Sequence, residues 1–490
     1  MAVDKESGIQ AEPPCPTSAA SPNSDLDVSM KQKLGFLDMI TRHPPGFWFI
    51  FWGEFAERCS YYGMRAILAT YMVDRLGFSQ ADSGTYMSLF IAACYLLPLV
   101  GGYLADNFFG KYQTIVWFSL PYILGHVVLG VENTTCLFIA LSLLAMGAGV
   151  IKPNISTLMG MTYDQQRPGE EQLRSTAFSI FYMSINIGAA ISQAAIPAIR
   201  TAHSYRLAFL FPAILMAVAF VIFAVGKRYY AREVIVRTQS TPEERRLKWQ
   251  ILARIAGLFL LVMFFWAVFD QSASTWIFYA RTYMDNTVFG FRIDPEQVQA
   301  LNPILIVALL PLVMMLWIAL DRKGIRIRAT DKMIVGFVLT GVTMAIMAYC
   351  GYTTGKAEQR EKMDNGQVVL KNGQPVIEEV FPEERKVTVL WQMLAYLALT
   401  IAEILISVTG LELAFVAAPN NMKSFVTSLW LLTVFLANLV LNVPLTRMYP
   451  YMHPGNYFAM LTVMIGLVTL LFFFVAQRFN RLVAAQTEST

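Results

Sequence analysis

Twelve runs of roughly 20 mostly apolar residues follow one another along this chain, and no other feature restricts its folding so severely. They fall near 46–73, 84–105, 112–131, 136–160, 174–200 and 206–226, then near 253–279, 299–320, 331–351, 388–414, 422–446 and 456–478. Each is long enough to cross ~30 Å of hydrocarbon as a helix. The runs are continuous rather than alternating over about ten residues, which favours helices over a barrel, because a backbone in lipid must satisfy its own hydrogen bonds. Pro98, Pro153, Pro303 and Pro444 are tolerated inside them where neighbouring helices satisfy the freed carbonyls. With 56% hydrophobic and only 15% charged residues in 490, the chain is too oily for a soluble enzyme of this size.

The charges outside the runs set the expected orientation. "GKRYYAREVIVRTQSTPEERRLKWQ" and "DRKGIRIRATDK" are dense in Lys and Arg, which assigns both to the cytoplasmic side. An even number of spans then puts both termini there. Residues 1–30 are polar and rich in Pro and Ser, without an apolar core and cleavage site, so they read as a disordered tail and not a signal peptide. Six spans on either side of a basic connector imply a parallel duplication: an all-α membrane protein of the major facilitator fold, with twelve transmembrane helices in two six-helix bundles. The expected layout is a cytoplasmic tail at 1–44, a bundle at 45–226, a connector at 227–252, a bundle at 253–478 with an outside loop at 352–387, and a tail at 479–490.

"GGYLADNFFGKYQT" and "LWIALDRKGIRIRAT" echo each other across the halves, each placing an aspartate (Asp106, Asp321) before Gly and a base at a helix exit. In the outside loop, "GQVVLKNGQPVI" carries an Asn-Gly between short apolar stretches, a hairpin signal. Asn133-Thr134-Thr135 matches a glycosylation acceptor, a motif too short to weigh much. Five cysteines show no disulfide or metal spacing, and no metal site is expected.

"GEFAERCSYYGMRA" breaks the oily pattern. Glu54, Glu57, Arg58 and Arg65 lie inside the first run, where facing lipid would cost on the order of 10 kcal/mol. Together with Tyr61 and Tyr62 they recur at spacings of three, four and seven, forming one stripe on a helix. The stripe must therefore line a protein interior or a wet cavity. Lys152, Asp270 and Glu403 also sit well within spans, and intramembrane ionisable groups mark a transport pathway. The count is four acids and three bases, so one bound proton balances it; Glu412, near a helix end, is a possible addition. Acids and bases drawn from both halves suit a zwitterion, with bases receiving a carboxylate and an acid receiving an ammonium. Tyr61, Tyr62, Tyr95, Tyr182, Asn186, Trp266, Asn302 and Trp430 supply aromatic and hydrogen-bonding walls for such a cargo.

These residues resemble the proton-coupled oligopeptide transporters, in their animal-like subgroup. The first-helix pattern of that family, Glu-x-x-Glu-Arg-Phe-x-Tyr-Tyr-Gly, reads "EFAERCSYYG" here, and "FSIFYMSINIGA", "GVIKPNIS" and "ALNP" with Trp317 match further signatures. The likeness runs from about residue 45 to 478. It implies that Glu54, Glu57 and Arg58 couple protons together with Asp270 and Glu403. It also implies an Arg65–Asp270 pair at the outer gate and a Lys152–Glu403 bridge between halves. Arg65 and Lys152 would receive the peptide carboxylate, Glu403 and Asn302 would lie near its amino end, and Tyr62, Asn186, Ser407 and Trp430 would shape the pocket.

Three departures stand out. The stretch from Lys227 to Lys248 is too short and too charged for the two extra helices of many bacterial members. The second span, "GTYMSLFIAACY", lacks the histidine of animal members, so protonation is expected to rest on carboxylates. Cys59 replaces the usual Phe, which leaves the packing beside the motif open.

The expected function is proton-coupled import of di- and tripeptides by alternating access. The chain is expected to be a monomer in a cell membrane, plasma or bacterial inner, in contact with lipid and with neither a cofactor beyond the proton nor a nucleic-acid partner. A carrier of nitrate or drug-like cargo on the same fold is the nearest alternative, and a non-transporting peptide receptor is another. An enzyme is not expected, because no Ser/His/Asp, zinc or nucleotide-binding pattern occurs in the loops and histidines number only four.

Overall fold

The computed structural model describes residues 41–233, 241–325, 327–354, 386–410, 413 and 423–487, with short strand segments between 358 and 380. Most of the expected N-terminal tail, residues 234–240 of the connector, and Glu412 lie outside the described residues. A first group of helices comprises α1 (Pro45–Asp74), α2 (Gln80–Leu104), α3 (Lys111–Leu129), α4 (Thr134–Gln166), α5 (Glu171–Ala202) and α6 (Tyr205–Val225). The second group holds α7 (Pro242–Phe269), α8 (Thr275–Tyr283), α9 (Leu301–Arg322), α10 (Ala329–Thr353), α11 (Leu390–Glu403), α12 (Lys423–Leu436), α13 (Val443–Met448) and α14 (Pro454–Thr487).

Among the described residues, 11 helical segments are long and apolar enough to cross a membrane. The 30-residue α1 is the twelfth by length, and its internal charges are what separate it from the others. The apolar surface faces outward: Trp117, Val221, Leu312 and Leu470 are exposed, while Glu54, Glu57, Arg58 and Asp270 are buried. That inversion is the arrangement a hydrocarbon solvent demands.

In the first group α3 packs on α4, α1 on α5 and α6, and α2 on α4; in the second, α10 packs on α11 and α14. The groups meet where α5 packs against 295–322 and where α2 packs against 423–448. Side chains start several helices by accepting orphan backbone N–H groups: Ser79 for α2, Asn133 for α4 and Ser204 for α6. The Asn133 carboxamide is thus a helix cap, with its oxygen 2.8 Å from the Thr135 nitrogen. The echoed turns share their geometry, since Gly110 (φ 77°) and Gly324 (φ 78°) both occupy the left-handed region that favours glycine. Asp106 pairs with Lys111 at the first of them.

Two helices run past the expected bundle bounds. Helix α7 begins at Pro242, inside the stretch read as connector, because "PEERRLKWQ" has Pro at its first turn followed by good helix formers and needs no lipid to be helical. Helix α14 likewise runs on to Thr487, past the expected start of the tail at 479. In the loop, Leu370–Lys371 pairs antiparallel with Gln374–Pro375, inside a wider pairing of Glu358–Glu361 with Ile377–Val380; Asn372 and Gly373, where the hairpin turn is expected, lie outside the described residues.

Candidate functional site

Three helices lose their regular winding where the chemistry is placed. The seventh span breaks into a 3₁₀ turn at Asp270–Ala273, between α7 and α8. Helix α11 passes into π-helical winding at Ile404–Val408 directly after Glu403, and α12 does so at Ala437–Asn442. Such departures free or redirect backbone groups and gather at functional sites. Here they turn Asp270, Glu403, Ser407 and Asn438 inward.

A cavity of about 280 Å³ lies between the helix groups. Tyr62, Arg65 and Tyr95 line it from α1 and α2, and Tyr182 and Asn186 from α5. Trp266, Asp270, Asn302, Glu403, Ser407 and Trp430 line it from the second group. Arg65 Nη2 donates to Asp270 Oδ1 at 2.6 Å, joining the two groups. The other carboxylate oxygen of Asp270 accepts from Asn438 Nδ2 at 2.7 Å. Asn438 is in turn tied through Asn442 to Gln271, whose oxygen accepts from Tyr457 and Thr275. Across the cavity Glu403 Oε2 accepts from Asn302 Nδ2 at 2.7 Å. Trp266 and Trp430 meet edge to face at 6.3 Å, forming part of the apolar wall.

Glu54, Glu57 and Arg58 do not line this cavity. They form a triad inside the first group, with exposures of only 2%, 1% and 4%. Arg58 Nε hydrogen-bonds Glu54 Oε1 at 2.7 Å and lies 2.8 Å from Glu57 Oε2. The second contact is too bent for a hydrogen bond, which leaves Glu54 Oε2 and Glu57 Oε2 without one. Tyr122 donates to Glu57 Oε1 at 3.2 Å. Two acids and one base give the triad one excess negative charge, and a proton on either free oxygen would cancel it.

Tyr61 and Lys152 also lie off the cavity, and the expected Lys152–Glu403 bridge is not made. The Lys152 ammonium sits 4.4 Å from the Tyr61 ring centroid and 5.0 Å from that of Tyr95. The ring quadrupoles seat the ammonium there, and Glu57 and Glu54 act on it through space. Packing at Cys59 is settled by a close approach of α1 to α5. The thiol donates to Gly188 O at 3.4 Å, and a Cβ on Gly188 would stand 3.0 Å from Phe55 O and 3.2 Å from Cys59 Sγ. A phenylalanine ring at position 59 would have to force these helices apart.

The groups are latched at the Asp74 end. Arg200 pairs with Glu296 at 2.7 Å and with Asp294 at 3.2 Å, and Arg281 pairs with Asp74 at 3.0 Å. At the opposite end the described ion pairs, Asp106–Lys111, Asp164–Arg174 and Arg167–Glu170, all stay within the first group. Sequence reasoning missed several lining residues, chiefly Gln193, Ser272, Gln299 and Tyr396. Gln193 was within reach of it, because Tyr182, Asn186 and Gln193 repeat at helical spacing on α5.

The sequence matches the POT family over residues 112–246 and 231–456, together most of the chain. Peptide transporter family 1 of Drosophila melanogaster is 35% identical over 355 residues, covering 62% of this chain and 47% of that protein. Solute carrier family 15 member 1 of Homo sapiens is 32% identical over 369 residues, covering 62% and 52%. The chain spans about half the length of the curated relatives it matches. Among solved structures, an auto-inhibited POT family peptide transporter superposes with a TM-score of 0.75 at 26% identity, over 89% of this chain and 97% of that one.

Proposed function

This chain belongs to the POT family, and from that premise we propose that it is a proton-coupled symporter that imports di- and tripeptides by alternating access. The observation that carries the reading is the cavity between the helix groups, with a base–acid pair, Arg65–Asp270, on its wall and a separate acid, Glu403, facing it. Its 280 Å³ lies just below the roughly 300–1,000 Å³ usual for small-molecule sites, which suits two or three residues better than a longer peptide. The peptide carboxylate is received by Arg65 and, after a swing away from its rings, by Lys152; Glu403 and Asn302 hold the amino end. Tyr62, Tyr95, Tyr182, Asn186, Trp266, Ser407 and Trp430 form the walls, and Tyr61 seats Lys152.

The triad of Glu54, Glu57 and Arg58, with Asp270 and Glu403, carries the coupling protons. A proton on Asp270 releases Arg65, so the latch between the groups and the hold on the peptide change together. The two bundles are 45–226 and 253–478, with the connector and both termini in the cytoplasm and the Asp74 end outside, in a plasma or bacterial inner membrane. The latched Asp74 end makes the present conformation inward-facing. The protein works as a monomer in lipid. Each positive charge entering gains about 2.3 kcal/mol per 100 mV, enough for roughly fortyfold accumulation.

Uptake of labelled dialanine into vesicles holding only this protein, acidic outside, tests the reading. Accumulation above the external concentration is expected, competed by tripeptide and not by tetrapeptide or nitrate. Equilibration without accumulation, or competition by nitrate alone, would overturn it. Lys152→Ala is expected to abolish driven accumulation in the same assay.

A further inference from the structure

Ser119, Tyr122 and His126 recur along α3 at spacings of three and four, so they share one face. All three are buried, at 2%, 0% and 0% exposure, and none lines the peptide cavity. Ser119 and Glu57 instead border a small crevice enclosed by α1, α3, α4 and α6. Tyr122 reaches Glu57 through the 3.2 Å hydrogen bond. The His126 ring lies 5.0 Å from that of Tyr122, one turn nearer the end of α3 at Leu129, which is about 4.5 Å further along the axis.

Neither ring nitrogen of His126 has a hydrogen-bond partner. Burying a polar ring in that way costs free energy that an apolar side chain of similar size would avoid. The helices packed on α3 are α4 and α6, and none of their described titratable groups hydrogen-bonds His126. On α4, Lys152 faces Tyr61 and Tyr95, Tyr163 faces Phe47, Asp164 pairs with Arg174, and Cys136 stands in the first turn. On α6, Tyr205 donates to Asp74 and the exposed Arg206 lies beside Gly130. Glu132, just past α3, pairs with Arg75. Among the described residues the one titratable side chain in ring contact with His126 is Tyr122, and the charges beyond it are the Glu57–Arg58 pair and Lys152, which acts on Glu57 through space.

We propose that His126 and Tyr122 form a proton path to Glu57 that runs through the first helix group, apart from the peptide cavity. The inference rests on the symport reading above and adds a route to it. A proton arriving from the Asp74 end is taken up on an imidazole nitrogen of His126. It passes to the Tyr122 oxygen, across a single water or by rotation of a ring, while the phenol's own hydrogen moves to Glu57 Oε1. The imidazole and phenol return to their starting forms, and the net change is one proton on the carboxylate.

The test compares wild type with His126→Gln and Tyr122→Phe in vesicles. Each is assayed for accumulation driven by a pH gradient and for counterflow of labelled against unlabelled dialanine, which needs no net proton movement. The path predicts driven uptake slowed about tenfold or more in both variants, with its pH profile displaced and counterflow within about twofold of wild type. Driven uptake and pH profile equal to wild type in either variant would overturn it. So would counterflow falling in step with driven uptake in both variants, because that marks a packing role. Failure of wild type itself to accumulate peptide would instead sink the symport reading, so the two failures are told apart.

Discussion

The two helix groups hold their buried charges in different ways. In the first, Glu54, Glu57 and Arg58 lie within about one turn of an unbroken α1 and are paired by the helix itself, at spacings that survive any movement of the groups. In the second, Asp270 and Glu403 stand where helices change their winding, and their partners come from other segments: Arg65 and Asn438 for one, Asn302 for the other. A pair local to one helix stores charge without sensing conformation. A pair that spans the interface, like Arg65–Asp270, registers whether the groups are together.

The contrast can be broken by substitution. Arg58→Ala strands two buried carboxylates and is expected to cost about 3–5 kcal/mol of stability, read as a large drop in thermal midpoint in detergent. Adding Glu57→Gln should recover part of the loss, and a midpoint unmoved by Arg58→Ala would mean the triad is not a sealed charge cluster. Asn438→Ala removes a hydrogen bond to a charged group in the second helix group, expected to cost about 1.5–3 kcal/mol. Because Asp270 is then held by Arg65 alone, the pH profile of driven uptake should move as well, whereas Arg58→Ala acts first on folding. Cys59→Phe should cost about 1–3 kcal/mol through overpacking against Gly188, and a stabilised variant would show that α5 can retreat from α1 freely. The smallest effect is expected for Arg281→Ala, about 0.2–1 kcal/mol, since its pair with Asp74 is partly exposed. Thermal midpoints measured side by side check the order.

Much of this was legible in the residues. Hydrophobic length located the spans, though not the start of α7 or the end of α14, where helix continues into polar sequence, and the misplaced charges of "GEFAERCSYYGMRA" located the interior face of α1. What the stripe could not say is that its neighbours change along the axis. The seven residues from Arg58 to Arg65 cover about 10 Å, enough to pass from the inside of one helix group to the cavity between both. The Lys152–Glu403 bridge came from the family resemblance, and nothing in the residues themselves pointed to the faces of Tyr61 and Tyr95 as the seat of the ammonium. Gln299 and Tyr396 were invisible because a single glutamine or tyrosine near a span carries no signal until the fold turns it inward. His126 was passed over for the same reason: one histidine in an apolar run reads as core.

The most direct test of the central claim, that proton and peptide movements are bound together by these groups, needs no imposed gradient. A pH-sensitive dye sealed inside vesicles, at equal pH on both sides and with the membrane potential clamped at zero, follows the lumen after dialanine is added outside. The account predicts acidification that tracks peptide uptake and vanishes without peptide. Peptide entering at full rate while the interior keeps its pH would contradict it.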